Sequence, residues 1–113
     1  MNTHDNIMKE IHTTLFELGF NPSISGFYYL SLALELLIKD ETYLTALTKR
    51  LYPDIAKYYN KANCTIERCI RTLVDDWEYS ERSSAVLTTF NRPHYTNREI
   101  IAALHKYLIL YIL

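Results

Sequence analysis

The stretch Leu51–Trp77, LYPDIAKYYNKANCTIERCIRTLVDDW, carries the spacing of two helices joined by a tight turn. Pro53 suits the first position of a short helix, where its missing N–H breaks no bond. Ile55 and Ala56 place an apolar and then a small residue where a second helix must cross closely. Asn60, four residues after Ala56, tolerates the left-handed backbone that such a turn requires. Asn63 is a good cap for the second helix, which is expected to reach about Tyr79. On that helix Ile66, Ile70 and Leu73 share one face. If they face inward, Thr65, Glu67, Arg68, Arg71 and Thr72 lie outside or along the sides. This is the layout of a helix-turn-helix, with a recognition helix at about 64–79.

The outward residue types suit DNA. Arg68 and Arg71 are three apart and share a face. Two guanidinium forks there match the O6 and N7 acceptors of guanine in the major groove, and Glu67 can accept from a cytosine amino group. Glu67, Arg68 and Arg71 are therefore the expected base-reading residues. Lys49, Arg50, Lys57, Lys61 and Thr65 flank them and are the expected contacts to phosphate and backbone, which position a protein without reading sequence. A buried helical hairpin satisfies the same apolar pattern, and Glu67 with Arg71 could form a surface i,i+4 pair.

Working outward, 113 residues support one domain, residues 1–113. Nearly half the residues are apolar, enough for a core without disulfide staples. With 2 Gly and 3 Pro there are few breakers, so the expected fold is an all-α, compact helical domain of about six or seven helices. A formal net charge of −1 is low for a DNA-binding chain, but the charge is unevenly spread. Six cations and two anions lie between Lys49 and Arg71, a surplus of four, so the remainder carries −5.

The first helix is expected from about Thr3 to Leu18, with Ile7, Met8, Ile11, Leu15 and Leu18 on one face and Gly19 ending it. A second, very apolar helix over Gly26–Lys39 should be central. Asp40 can cap a third, carrying Tyr43, Leu44, Leu47 and Leu51. Ser80 can cap a further helix through about Thr89, before a loop over Asn91–His94. Thr96 and Glu99 then form a capping box that opens the last helix, with Ile100, Ile101, Leu104, Leu108 and Tyr111 as core candidates.

Other chemistries find no support. Cys64 and Cys69 lack the partners and spacing of a zinc site and read as small, partly buried residues. His4, His12, His94 and His105 are scattered, and no H-E-x-x-H or glycine-rich phosphate loop occurs. No enzyme activity, metal or cofactor is expected. No signal peptide is visible, and the apolar run Tyr107–Leu113 is too short to span a bilayer. A cytoplasmic, bacterial protein with no membrane partner is the expectation. That last run reads as the end of a buried helix or as a small dimer contact.

LYPDIAKYYN followed by IERCIR, with GFYYL and LTALTKR upstream and Thr96-Asn97 with Glu99-Ile100 downstream, resembles the C-terminal effector domain family of the stage 0 sporulation protein A. The resemblance runs from about Ile11 to Leu108. It implies a sporulation-type response-regulator effector fold built on a helix-turn-helix. It also implies sequence-specific transcription regulation, with homodimers on tandem DNA boxes and contact with the sigma factor of RNA polymerase. In the family, the positions of Glu67, Arg68 and Arg71 face the bases. The spacing from Arg71 to Trp77 is one residue shorter than the family's pattern. The family's regulators begin with a receiver domain that these residues do not include, so the chain is expected to be either a fragment or a stand-alone relative. A receiver-less module that pairs with or antagonises the full-length regulator is the alternative expectation.

Overall fold

The most apolar segment, GFYYLSLALELLIK, forms the central helix of a computed structural model in which residues 3–80 and 94–113 are described. Its helices are α1 (Thr3–Glu17), α2 (Gly26–Lys39), α3 (Tyr52–Tyr59), α4 (Asn63–Tyr79) and α5 (Asn97–Tyr107). α2 packs against α1, α4 and α5 and buries Leu30, Ala33, Leu34 and Leu37 among them. Burial on nearly every side explains why its sequence is apolar beyond a single stripe. Ser31, also buried, donates its hydroxyl to the Phe27 carbonyl at 2.7 Å, which satisfies it inside the helix. The described residues contain no strand, and the all-α expectation holds.

The turn chemistry follows the sequence closely. Gly19 takes φ 99° after α1, and the Phe20 N–H reaches back to the Leu15 carbonyl at 3.0 Å. This closes the helix with a left-handed residue. Thr96 and Glu99 form the expected capping box at the head of α5.

The expected third helix is not one helix. Glu41–Thr45 is a tight 3-10 turn and Leu47–Leu51 a wide π-type turn, with Ala46 between them at φ −145° and ψ 53°. Polar side chains compete for the backbone here. Asp40 accepts from the Thr42 N–H at 3.0 Å, as its capping role requires, and Thr45 donates to the Thr42 carbonyl at 2.8 Å. The Leu44 carbonyl, which a continuous helix would offer to Thr48, accepts from Arg98 at 2.6 Å. The described chain therefore has five α-helices plus short turns where six or seven helices were expected. The helix expected from Ser80 to about Thr89 lies outside the described residues.

Gly26 sets how closely α2 approaches α4. A methyl group there would sit 2.2 Å from the Cys69 carbonyl oxygen and 3.0 Å from Leu73 Cβ. The nearest obstacle is backbone, which cannot rotate away. Gly26→Ala should therefore lower stability by about 1–3 kcal/mol through overpacking, despite the better helix propensity of alanine. Urea unfolding checks this, and an unchanged or higher midpoint would exclude the close approach.

Candidate nucleic-acid interface

α3 and α4 are joined as the apolar spacing demands. Ile55, Ala56, Ile66, Ile70 and Leu73 are all buried where the two helices meet the core. Asn60 adopts φ 56° and ψ 52°, and the Lys61 N–H returns to the Ala56 carbonyl at 2.9 Å. That left-handed cap redirects the chain within three residues, so α4 starts at an angle to α3. Ala62 holds the cap position of α4 and Asn63 is its first residue, one step from the expected capping role. No side chain caps this end.

With Ile66, Ile70, Leu73, Val74 and Trp77 inward, the outer face of α4 is set. Glu67 and Arg68 are exposed. Arg71 is different: its side chain is 31% exposed and its fork is engaged. Nε donates to Asp75 Oδ1 at 2.9 Å, and Nη1 donates to the Tyr95 carbonyl at 2.7 Å. Nη2 lies 2.8 Å from Asp75 Oδ1 and 3.6 Å from Glu78 Oε1. Glu78, only 5% exposed, also accepts from the Tyr95 N–H at 2.8 Å. The N–H and C=O of Tyr95 are thus both held by side chains of α4. His94, 70% exposed, places Nδ1 3.0 Å from Glu78 Oε2.

This cluster ties α4 to the segment entering α5. Its α4 members, Arg71, Asp75 and Glu78, recur at helical spacing, and that much is visible in the sequence. Their partner at Tyr95 is 24 residues from Arg71, and no local pattern points to it.

An open cleft of about 890 Å³ lies along the first half of α4. One wall is the segment 45–49, the other is 96–98 at the head of α5, and Glu67, Arg68 and Arg71 line it from α4. Lys49 and Arg98 both line the cleft, one from each of these segments. Asn97 Nδ2 donates to the Glu67 carbonyl at 3.1 Å, so α5 braces α4 directly. Tyr52 also lines the cleft, and burial pushes its phenol above the usual range, which keeps it uncharged. Arg98 and Asn97 were not among the expected site residues. The capping box foretold a helix start there, but not that this start would fold back against α4.

The flanking cations divide into three groups. Lys49 is exposed in the cleft. Lys57 and Lys61 are exposed on α3 and the turn, away from the cleft lining. Arg50 is committed to its surroundings: Nη2 lies 3.1 Å from Asp40 Oδ2, Nη1 donates to Thr42 Oγ1 at 2.8 Å, and the guanidinium sits 4.3 Å over the Tyr43 ring. The Thr42 hydroxyl and this guanidinium hold the Asp40 carboxyl below the usual carboxylate range. Thr65 is half-buried on α4. Cys64, expected to be partly buried, is instead exposed and lines the cleft, because it falls on the outer face of the first turn of α4.

Among the described residues, no group of three or more His, Cys, Asp or Glu is placed to hold a metal ion. None of the described helices is long and apolar enough to cross a membrane. Residues 11–108 match the family described as sporulation initiation factor Spo0A C terminal.

Proposed function

This chain belongs to the family of the C-terminal domain of the sporulation initiation factor Spo0A, a DNA-binding sporulation regulator domain, and on that premise we propose that α4 enters the major groove of a specific DNA site. The observation that carries this reading is the outer face of α4, where Glu67 and Arg68 stand exposed over a buried Ile66–Ile70–Leu73 stripe. Arg68 donates its fork to a guanine and Glu67 accepts from a cytosine. Arg71 reaches a third base by exchanging Asp75 and the Tyr95 carbonyl for the acceptors of guanine. Lys49, Lys57 and Lys61 meet phosphates on either side, Arg50 does so with its outer edge, and Thr65 donates to the backbone. The protein acts in the bacterial cytoplasm, as a homodimer on tandem sites, and touches the sigma factor of RNA polymerase.

The test is selection of duplexes from a random pool, followed by anisotropy titration of the enriched duplex and a scrambled one. Equal affinity for both at physiological salt would sink specific reading. Arg68→Ala should lose about 1–3 kcal/mol on the enriched duplex and relax discrimination at one position. A uniform loss on both duplexes would reassign Arg68 to the phosphates.

A protein-pairing module that binds or antagonises a longer relative is the second reading. It is supported by the exposed apolar side chains of Ile109, Leu110, Tyr111 and Leu113 after α5. Co-sedimentation with the longer relative tests it, since no complex at any concentration speaks against this reading; a monomer throughout for the chain alone, with or without DNA, speaks against the homodimer.

A further inference from the structure

We infer that the cleft beside α4 seats one phosphodiester strand of the bound duplex, with Arg98 holding it from the head of α5 and Lys49 from the segment 45–49. The inference rests on the DNA-binding reading above and extends it to a residue outside the helix-turn-helix.

Three observations carry it. The first is charge. Lys49, Arg68, Arg71 and Arg98 line the cleft against one carboxylate, Glu67, in a chain of formal net charge −1. Arg71 is already neutralised by Asp75 and Glu78. The positive charge open to a ligand therefore comes from Arg68 on the helix and from one cation on each wall.

The second is the state of Arg98. It is exposed, and Nη1 is anchored on the Leu44 carbonyl at 2.6 Å. That bond links the two walls and holds the guanidinium in place. A planar fork that is fixed along one edge loses less freedom when another edge takes up an anion. Arginine forks match phosphate oxygens in geometry as well as charge.

The third is position. A helix lying in the major groove has a sugar–phosphate strand running alongside it. The cleft borders both Glu67 and Arg68 and carries cations from two further segments, Lys49 and Arg98.

The experiment is a salt series with the enriched and scrambled duplexes, using wild type, Arg98→Gln, Arg98→Lys and Lys49→Gln. Glutamine keeps a donor for the Leu44 carbonyl but removes the charge. In Arg98→Gln the slope of log affinity against log salt should shrink by about 0.9, as for one lost phosphate contact. The loss should be equal on both duplexes. Lys49→Gln should do the same, and Arg98→Lys should keep the wild-type slope.

An unchanged slope in Arg98→Gln, at an unchanged unfolding midpoint, overturns the proposal. So does a loss confined to the enriched duplex, which would make Arg98 a base reader. If Arg98→Gln does not fold, the full slope in Lys49→Gln overturns it. Absence of salt-dependent duplex binding by the wild type would defeat the DNA-binding reading itself. Wild-type binding with unaltered variants would defeat only the cleft.

Discussion

Trp77→Ala should lower the free energy of unfolding by about 3–5 kcal/mol, as expected for a large aromatic removed from a closed core. Trp77 is fully buried, and its ring stacks on Phe20 at 4.7 Å with planes 10° apart. Its indole N–H donates to the Leu18 carbonyl at 2.8 Å, at the turn that ends α1. One side chain thus fastens the C-terminal half of α4 to α1 and fills the space beneath Tyr95, whose ring centre is 6.2 Å away. The substitution removes area, stacking and a hydrogen bond together. Trp77→Phe keeps most of the area but leaves the Leu18 carbonyl without this donor, and should cost less. Because Trp77 is the only tryptophan, unfolding is best followed by circular dichroism. A loss below about 1 kcal/mol would mean that the site relaxes around the cavity, against expectation for packed interiors.

Arg71→Ala should act on both fold and function. Its guanidinium bonds to Asp75 and to the Tyr95 carbonyl hold α4 against the entrance to α5. Hydrogen bonds to charged groups are worth about 1.5–3 kcal/mol each when made in protein surroundings. With the side chain 31% exposed, a total loss of about 2 kcal/mol in stability is expected for the cluster. If Arg71 also reads a base, the enriched duplex should lose a further ~1–3 kcal/mol that the scrambled duplex does not. The two measurements separate the roles. A stability loss with equal weakening on both duplexes would make Arg71 a positioning residue alone. Unchanged stability would mean that the cluster does not fasten α4 to α5.

Much of the architecture was readable residue by residue. The bounds of α2, the left-handed Asn60 and Gly19, the inward stripe of α4 and the Thr96–Glu99 box all follow from short-range rules. Each rests on interactions within about one helical turn, so a window of sequence contains all the partners. The segment 41–51 was not readable in this way. Its apolar residues have helical spacing, yet Arg98 occupies the Leu44 carbonyl from 54 residues away. Local periodicity cannot register a competitor that arrives through the tertiary fold.

The same division runs through the interface. Which residues of α4 point outward was determined by the sequence alone, because an amphipathic helix has one way to bury Ile66, Ile70 and Leu73. Whether an outward residue is open to a ligand was decided only in three dimensions. Glu67 and Arg68 are open, while Arg71 meets Asp75 on its own helix and Tyr95 from the chain folded over it. Arg98 joins the cleft for the converse reason: the capping box places it in a first turn, and the packing of α5 on α4 carries that turn to the cleft wall. The side-chain pattern follows from hydrophobic burial, which is nearly local along a helix. The partners of each charge follow from contacts between segments distant in sequence, and these exist only once the core has formed.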